Sequence, residues 1–249
     1  TRSPDTNVNR FTKFAAACVG ILCLALTSCL DTREEVWIRP DGSGSARINV
    51  SLPAAAAAIH GGEEGVTKLI EKFVADTPAI TTHLLSTQIE ADRLDVDLTI
   101  TFSNALDFLE ETSGPAAEKM PAAGAEMIGT AEIDFKGLDL VFSRTVELSK
   151  AIPGAIFIPQ RQLDGHTVTT IIHLPAAATT HNATSTADGD HTLIWETSLA
   201  EAIRKPKVSH FTMPLPIPWG SICFIALLLL ILLTALIYYL RRRKRAKAA

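Results

Sequence analysis

The chain has 249 residues, four cysteines and 23 Lys and Arg against 27 Asp and Glu, a formal charge of −4, but those charges are unevenly placed. Residues 30–218 hold 14 basic and 26 acidic side chains, a formal charge of −12, which argues against nucleic acid and against broad docking on anionic lipid heads, since both require clustered Lys and Arg. No cysteine falls in those 189 residues, so the stretch has neither a disulfide framework nor a thiolate metal site, and its length suffices for a hydrophobic core without staples.

The chain begins with Arg2, Arg10 and Lys13 ahead of an uncharged run from Phe14 to Leu26, the charged-then-apolar order of an export signal. That run closes on Leu26-Thr27-Ser28-Cys29, which resembles a bacterial lipobox, where a diacylglycerol is attached to the cysteine before cleavage. The resemblance implies a signal peptide over 1–28, a lipidated Cys29 and a location outside the cytoplasm. The alternatives are an uncleaved membrane helix from about Phe11 to Leu30 and a signal peptide with a chance cysteine.

Beyond the signal, strand pairs alternate with helices. Val36-Trp37-Ile38 leads into the turn Pro40-Asp41-Gly42-Ser43-Gly44, and Ala46 to Val50 leads out, predicting a β-hairpin. Pro53 opens a helical turn through alanines 54–58, ended by Gly61-Gly62. Val66, Leu69, Ile70, Phe73 and Val74 recur at three and four residues, opposite Glu64, Lys68, Glu71 and Lys72, so they form the apolar face of a helix. From Leu94 to Phe102 apolar residues alternate with Asp95, Asp97, Thr99 and Thr101. This strand has one buried face, and it pairs with Leu84–Glu90 across Ala91-Asp92-Arg93. The helix face and the strand face are expected to oppose each other, and the five helix residues are the candidate contacts for a hydrophobic ligand.

Asn104 caps a short helix carrying Leu106 and Leu109, and Thr112–Glu126 reads as a loop. Strands resume at Met127–Phe135 and Leu138–Leu148, followed by an irregular stretch over Ser149–Gly165. Thr167–Leu174 and Thr192–Trp195 are strands separated by Pro175–Asp190, whose low complexity predicts mobility. Ser198 and Glu201 have capping-box spacing ahead of a helix with Leu199 and Ile203, and Pro206 stops it. Pro214, Pro216 and Pro218 make 213–218 a stiff stem. From Trp219 to Leu240 no residue is charged, which predicts a transmembrane helix of about 33 Å. Arg241, Arg242, Arg243, Lys244, Arg245 and Lys247 follow and place the tail 241–249 in the cytoplasm.

Catalytic signatures are missing: no phosphate loop, no nucleophile elbow and no helix with two histidines four apart. His60 lies near Glu63 and Glu64, but Gly61-Gly62 breaks the helix that rigid metal geometry would need. His166 and His173, seven apart on one predicted strand, should face opposite sides, and Asp95 with Asp97 reads as a solvated pair. Asn49-Val50-Ser51 and Asn182-Ala183-Thr184 match glycosylation acceptors, which mean little in a bacterial host. The sequence therefore points to a non-enzyme without metal or cofactor.

A lipobox, a first hairpin with an Asp-Gly-Ser-Gly turn, an α+β domain, Trp195-Glu196 before a capped helix, a proline-rich stem, one membrane helix and a basic tail together resemble the LppM-type lipoproteins. The resemblance implies a protruding domain built like lipid-binding modules and concerned with envelope lipids or glycolipids; it supplies no residue-level lipid site. The expected architecture is an α+β domain over 29–212, with helices packed on an antiparallel sheet, plus one C-terminal transmembrane helix. Expected contacts are membrane lipids through Cys29 and 219–240, a hydrophobic ligand and envelope protein partners. The protein is expected at the cell membrane, lipid-anchored and single-pass, binding or presenting an envelope lipid; the alternative is a scaffold or assembly subunit of an envelope complex. A lipid binder should enclose a pocket between helix 65–75 and the sheet, whereas a scaffold should have a filled core there.

Overall fold

The computed structural model describes residues 31–58, 60–113, 128–151, 158–216 and 227–234, and the chain divides into two units, Thr1–Leu215 and Pro216–Ala249. In the first unit, strands β1 (Asp31–Ile38) and β2 (Gly44–Pro53) form the expected hairpin, in register from Ile38 opposite Gly44 to Asp31 opposite Ser51. The Asp41 carboxylate closes the turn by accepting from the Ser43 backbone N–H at 3.0 Å. Gly44 is required, because a Cβ there would lie 2.3 Å from the Trp37 carbonyl oxygen and 2.6 Å from the Phe102 ring. Helices α1 (Ala54–Ala58) and α2 (Gly62–Ala75) follow, then a second hairpin of β3 (Ile80–Glu90) and β4 (Arg93–Phe102). Ala91 and Asp92 take φ of 46° and 68° at its tip, the left-handed pair that a tight two-residue hairpin demands.

Next come α3 (Ala105–Ser113), with Asn104 Oδ1 accepting from the Leu106 N–H at 3.0 Å, and a third hairpin of β5 (Thr130–Lys136) and β6 (Asp139–Val146). The stretch expected to be irregular contains two single turns, α4 (Leu148–Ala151) and α5 (Gln160–Leu163). The chain then runs through β7 (Thr167–His173), β8 (Thr180–His181), β9 (Ser185–Ala187), β10 (Thr192–Ser198), α6 (Leu199–Arg204) and β11 (Lys207–Pro214). Ser198 caps α6 as its spacing predicts, accepting from the Glu201 N–H at 3.3 Å.

The expectation of one antiparallel sheet is corrected. Two sheets form, one of seven strands in the order β3-β4-β2-β1-β7-β10-β9 and one of four in the order β5-β6-β11-β8. The larger is mixed, since β7 pairs parallel to β1, with Glu34 opposite Thr170. A parallel partner needs a long crossover, and the chain between β1 and β7 provides it while building α1–α5 and the β5–β6 hairpin. Alternation marks where strands are but not which of them pair, so this topology was not readable from periodicity.

The expected transmembrane helix is corrected as well. Among the described residues no helix is long and apolar enough to cross a membrane. Within 219–240 the described residues are the helical 227–234. The single-pass reading and the membrane contact through 219–240 lose their support with it. The tail 241–249 lies outside the described residues.

One face of the large sheet carries the core, under three covers. Helix α2 lies on the β2–β4 side, where Ile70, Phe73 and Val74 pack against Ala46, Leu98 and Ile100, and where Val66 and Ile70 pack against Leu94 and Val96. The helix and strand faces do oppose each other. The small sheet covers the β7–β10 side, enclosing Phe142, Ile172, Leu193, Trp195, Phe211 and Met213. Helix α6 closes one end through Leu199 and Ile203 with Leu148 and Leu163. Met213, the first residue of the expected stem, is thus core, because β11 continues to Pro214.

The segment 175–190 is ordered rather than mobile, because its backbone is hydrogen-bonded to both sheets. The N–H groups of Thr179 and Asn182 donate to Thr212 and His210 of β11, and that of Thr184 donates to Ile194 of β10. Asn182 Oδ1 accepts from Trp195 Nε1 and from the His210 N–H, each at 2.8 Å. A strap of small polar residues thereby ties the two sheets together at the edge of the core.

Candidate functional site

Along β1, Thr32, Glu34, Val36 and Ile38 share one face. Val36 packs in the core beneath α2, and Ile38 packs against the core beneath the small sheet. The two covers therefore meet above β1, and the groups at that seam are polar. Arg144 of β6 reaches across to Glu34, its Nη1 donating to both carboxylate oxygens at 2.8 and 2.7 Å while its Nε donates to the Ile128 carbonyl at 2.7 Å. Lys207, the first residue of β11, donates to the Val168 carbonyl and Thr170 Oγ1 at 3.3 Å and to the Trp195 carbonyl at 3.4 Å. These are long contacts to neutral acceptors, and among the described residues no carboxylate lies within ion-pair distance of Lys207.

Burial pushes the Lys207 ammonium down to about 8; the Glu34 carboxylate pulls it up and the Arg144 guanidinium adds to the fall. Below that pH the seam holds one carboxylate, one guanidinium and one ammonium, an excess positive charge in half-buried surroundings. Thr32 Oγ1 is buried beside it without a hydrogen-bond partner. The cross-strand neighbours of Glu34 and Thr32 are Ile48 and Val50, both part of the apolar packing under α2. The seam is therefore a positively charged polar patch next to apolar side chains. It offers no paired acid and base with a nucleophile, and among the described residues no group of three His, Cys, Asp or Glu is placed to hold a metal.

Of the helix residues singled out from sequence, Val74 is buried, Val66, Ile70 and Phe73 are half-buried against the sheet, and Leu69 is 36% exposed. The structure brings four of them onto the strands and leaves Leu69 on the helix margin. Leu26, Thr27, Ser28 and Cys29 lie outside the described residues. Asp31, two residues after Cys29, already begins β1.

The opposite face of the large sheet carries a polar ladder. Arg47 pairs with Asp97 across strands, which holds the Asp97 carboxyl below its usual range, and Ser51 donates to Asp95, so this acid pair is partnered rather than simply solvated. His173 Nε2 lies 2.9 Å from Glu35, and its ring stacks on Trp37 with centroids 5.1 Å apart. Burial works to raise Glu35, but hydrogen bonds from His173 and Arg33 outweigh it and lower the pKa. His166 lies 3.0 Å from Asp31, on the same face as these groups. The expectation that His166 and His173 face opposite sides fails because β7 starts at Thr167 and leaves His166 on the preceding turn.

Sequence reasoning missed Glu34, Arg144 and Lys207, although a signal was present. Glu34 is in phase with Val36 and Ile38, Arg144 with Leu140 and Phe142, and Lys207 with Phe211 and Met213. Three charged residues in the buried phase of three strands mark one polar site.

No family model and no curated protein matches this chain. Among solved structures it is similar to the folded domain of the Mycobacterium tuberculosis LppM protein, with 13% identity and a TM-score of 0.46 over 77% of this chain and 92% of that one. It is also similar to an M1 zinc metallopeptidase from Deinococcus radiodurans, with 10% identity and a TM-score of 0.25 over 75% of this chain and 42% of that one. Both scores lie below the level at which a shared fold is established.

Proposed function

We propose that the chain is an envelope lipoprotein, acylated on Cys29, whose domain is a non-enzymatic module that binds or presents a hydrophobic ligand with an acceptor-rich head. The observation that carries this reading is the Lys207 cation in the seam, held by neutral acceptors with no carboxylate at ion-pair distance among the described residues, next to the incompletely buried face of α2. The ligand's head sits against Lys207 and Arg144, and its apolar part lies along the α2 margin at Val66 and Leu69. Because β1 starts at Asp31, the acyl anchor on Cys29 holds the domain's Asp31 end close to the membrane: two extended residues span only about 7 Å.

Native mass spectrometry of the gently extracted full chain tests the ligand. Co-purified lipid is expected, at lower occupancy in Lys207→Met; recovery of the parent with no lipid adduct would overturn the reading. Acylation is tested separately with a palmitate analogue, which should label the parent and not Cys29→Ser. The second reading, a scaffold subunit, is favoured by the direct packing of Ile70, Phe73 and Val74 on the strands, as a filled core requires. It predicts co-purifying envelope proteins in place of lipid.

A further inference from the structure

The strap 175–190 ends in a turn that is costly to hold. Asp188, Gly189 and Asp190 take φ of 53°, 62° and 65° in succession, a left-handed run that glycine alone adopts freely. The turn is held from several sides. The Ala178 N–H donates to the Asp190 carbonyl at 3.0 Å, and the Leu174 N–H donates to the His191 carbonyl at 2.7 Å. Thr192 Oγ1, at the start of β10, donates to the Asp188 carboxylate at 3.1 Å, and His181 Nε2 of β8 lies 4.0 Å from Asp190 Oδ1.

The same Thr192 hydroxyl touches His173, and counting protons fixes the charge that this arrangement needs. His173 Nδ1 lies 3.0 Å from Thr192 Oγ1, and its Nε2 lies 2.9 Å from Glu35 Oε1. Burial works to raise Glu35, but hydrogen bonds from His173 and Arg33 outweigh it and lower the pKa, so this carboxylate only accepts. Thr192 has a single proton, and the Asp188 carboxylate takes it. Nδ1 then donates to Thr192 and Nε2 donates to Glu35, so with all three bonds made the ring carries both protons. Its charge lies flat on the Trp37 ring, with centroids 5.1 Å apart and planes 5° from parallel, where a cation is attracted by the aromatic face. A neutral ring cannot satisfy the same set. Nε2 keeps its proton for Glu35 and Nδ1 becomes an acceptor, facing an oxygen whose proton points at Asp188. That proton turns to Nδ1, because otherwise two lone pairs would meet across 3.0 Å, and Asp188 loses its donor.

We propose that Glu35, His173, Thr192 and Asp188 form a pH-dependent latch on the strap, closed while His173 is charged and released when it gives up its Nδ1 proton. The charged groups that face His173 are Glu35 on β1, with Arg33 beside it and Arg47 of β2 within its field, and Asp188 beyond Thr192. His181 acts on the same turn in the same sense, since only its charged form attracts Asp190. Because the strap is bonded to β11 and to β10, the latch sets how firmly the two sheets are joined at this edge.

Amide hydrogen exchange of the full chain in detergent, followed by NMR between about pH 5 and 8 and corrected for the intrinsic rate at each pH, tests this. Exchange at Leu174 and Ala178, whose N–H groups donate to the turn, should speed about tenfold from the acid to the alkaline end, as expected for loss of one hydrogen bond to a charged group. Thr192→Val removes the hydroxyl while keeping the side-chain shape, and His173→Gln removes the titrating ring; each should abolish most of the rise. His166→Gln, which alters a ring facing Asp31 outside the strap, should retain it. Nitrogen NMR of the His173 ring reads the latch in the parent itself: both nitrogens should carry protons at the acid end and Nε2 alone at the alkaline end. Leu174 and Ala178 amides that exchange equally at both ends, a rise that survives undiminished in Thr192→Val or His173→Gln, or a neutral ring protonated on Nδ1 would overturn the proposal.

Discussion

The two main covers of the large sheet differ in how completely they close. Beneath the small sheet, Phe142 and Phe211 stack with centroids 4.9 Å apart, and Trp195 and Phe211 are 3% and 2% exposed. Beneath α2, Leu94 and Ile100 of β4 are 0% and 1% exposed, but Val74 alone among the helix residues is buried, and Val66, Ile70 and Phe73 are partly buried. Geometry accounts for the difference. A helix is about 10 Å wide and 14 residues give about 21 Å of length, whereas three strands at about 4.8 Å spacing and ten residues at ~3.3 Å make a larger rectangle. A second sheet matches that area; one helix does not, and Ala57 of α1 and Phe108 of α3 pack on the same strands beside it.

The sharpest way to break this comparison is to remove one ring from each side. Phe211→Ala should destabilise the domain by about 3–5 kcal/mol, the cost of a large cavity under a rigid cover. Phe73→Ala should cost about 1–2 kcal/mol, because part of its ring already faces out. Thermal melting or urea unfolding measures both, and equal losses would mean that α2 seals its half as tightly as the small sheet does.

Between the covers, the Lys207 seam should make stability depend on pH. At pH 7 the ammonium is charged in the folded and unfolded chain alike, and the folded state bears the cost of its burial. Above about 8 the folded chain releases the proton, while the unfolded chain holds it to the ordinary 10.5. The unfolded state then binds more protons, so stability rises with pH across that window, by about 3 kcal/mol in all. Lys207→Met removes this rise, so its stability relative to the parent should fall by that amount between pH 7 and 10.5. Urea titrations across that range report it, and parallel curves for the two proteins would place Lys207 in water.

Legibility in the sequence followed the same division. The helix-covered half was readable because α2 and β4 have strict periods of 3.6 and 2, and because the Ala91-Asp92 tip and the Gly42 turn are local chemistry. The sandwich half was not. Its cover depends on β11 pairing with β6 across more than sixty residues of chain, and on a strap, 175–190, whose polar composition looks like a mobile loop. What orders that strap is Asn182 holding Trp195 and the His210 N–H, a long-range contact that no local pattern encodes. For the candidate site, the apolar helix face was found by period, whereas Glu34, Arg144 and Lys207 were overlooked because each sits singly in a different strand and only the pairing brings them together.

The smallest effect on stability should come from the residue at which the functional reading places the ligand's apolar part. Leu69 lies on the margin of α2, 36% exposed and absent from both apolar clusters beneath the helix. Leu69→Ser removes a side chain that is mostly covered but packs in neither cluster, and serine's lower helix propensity adds a few tenths of a kcal/mol, so the cost should stay near about 1 kcal/mol. A ligand lying along the open margin of α2 would lose one of its main apolar contacts, worth about 1–2 kcal/mol or roughly a tenfold drop in affinity. Fluorescent fatty-acid binding to the full chain, measured beside its melting curve, separates the two. Weaker binding by a protein that remains folded with only that small loss of stability would make the incomplete cover a binding surface; unchanged binding would leave it as exposed helix and shift the weight to the scaffold reading.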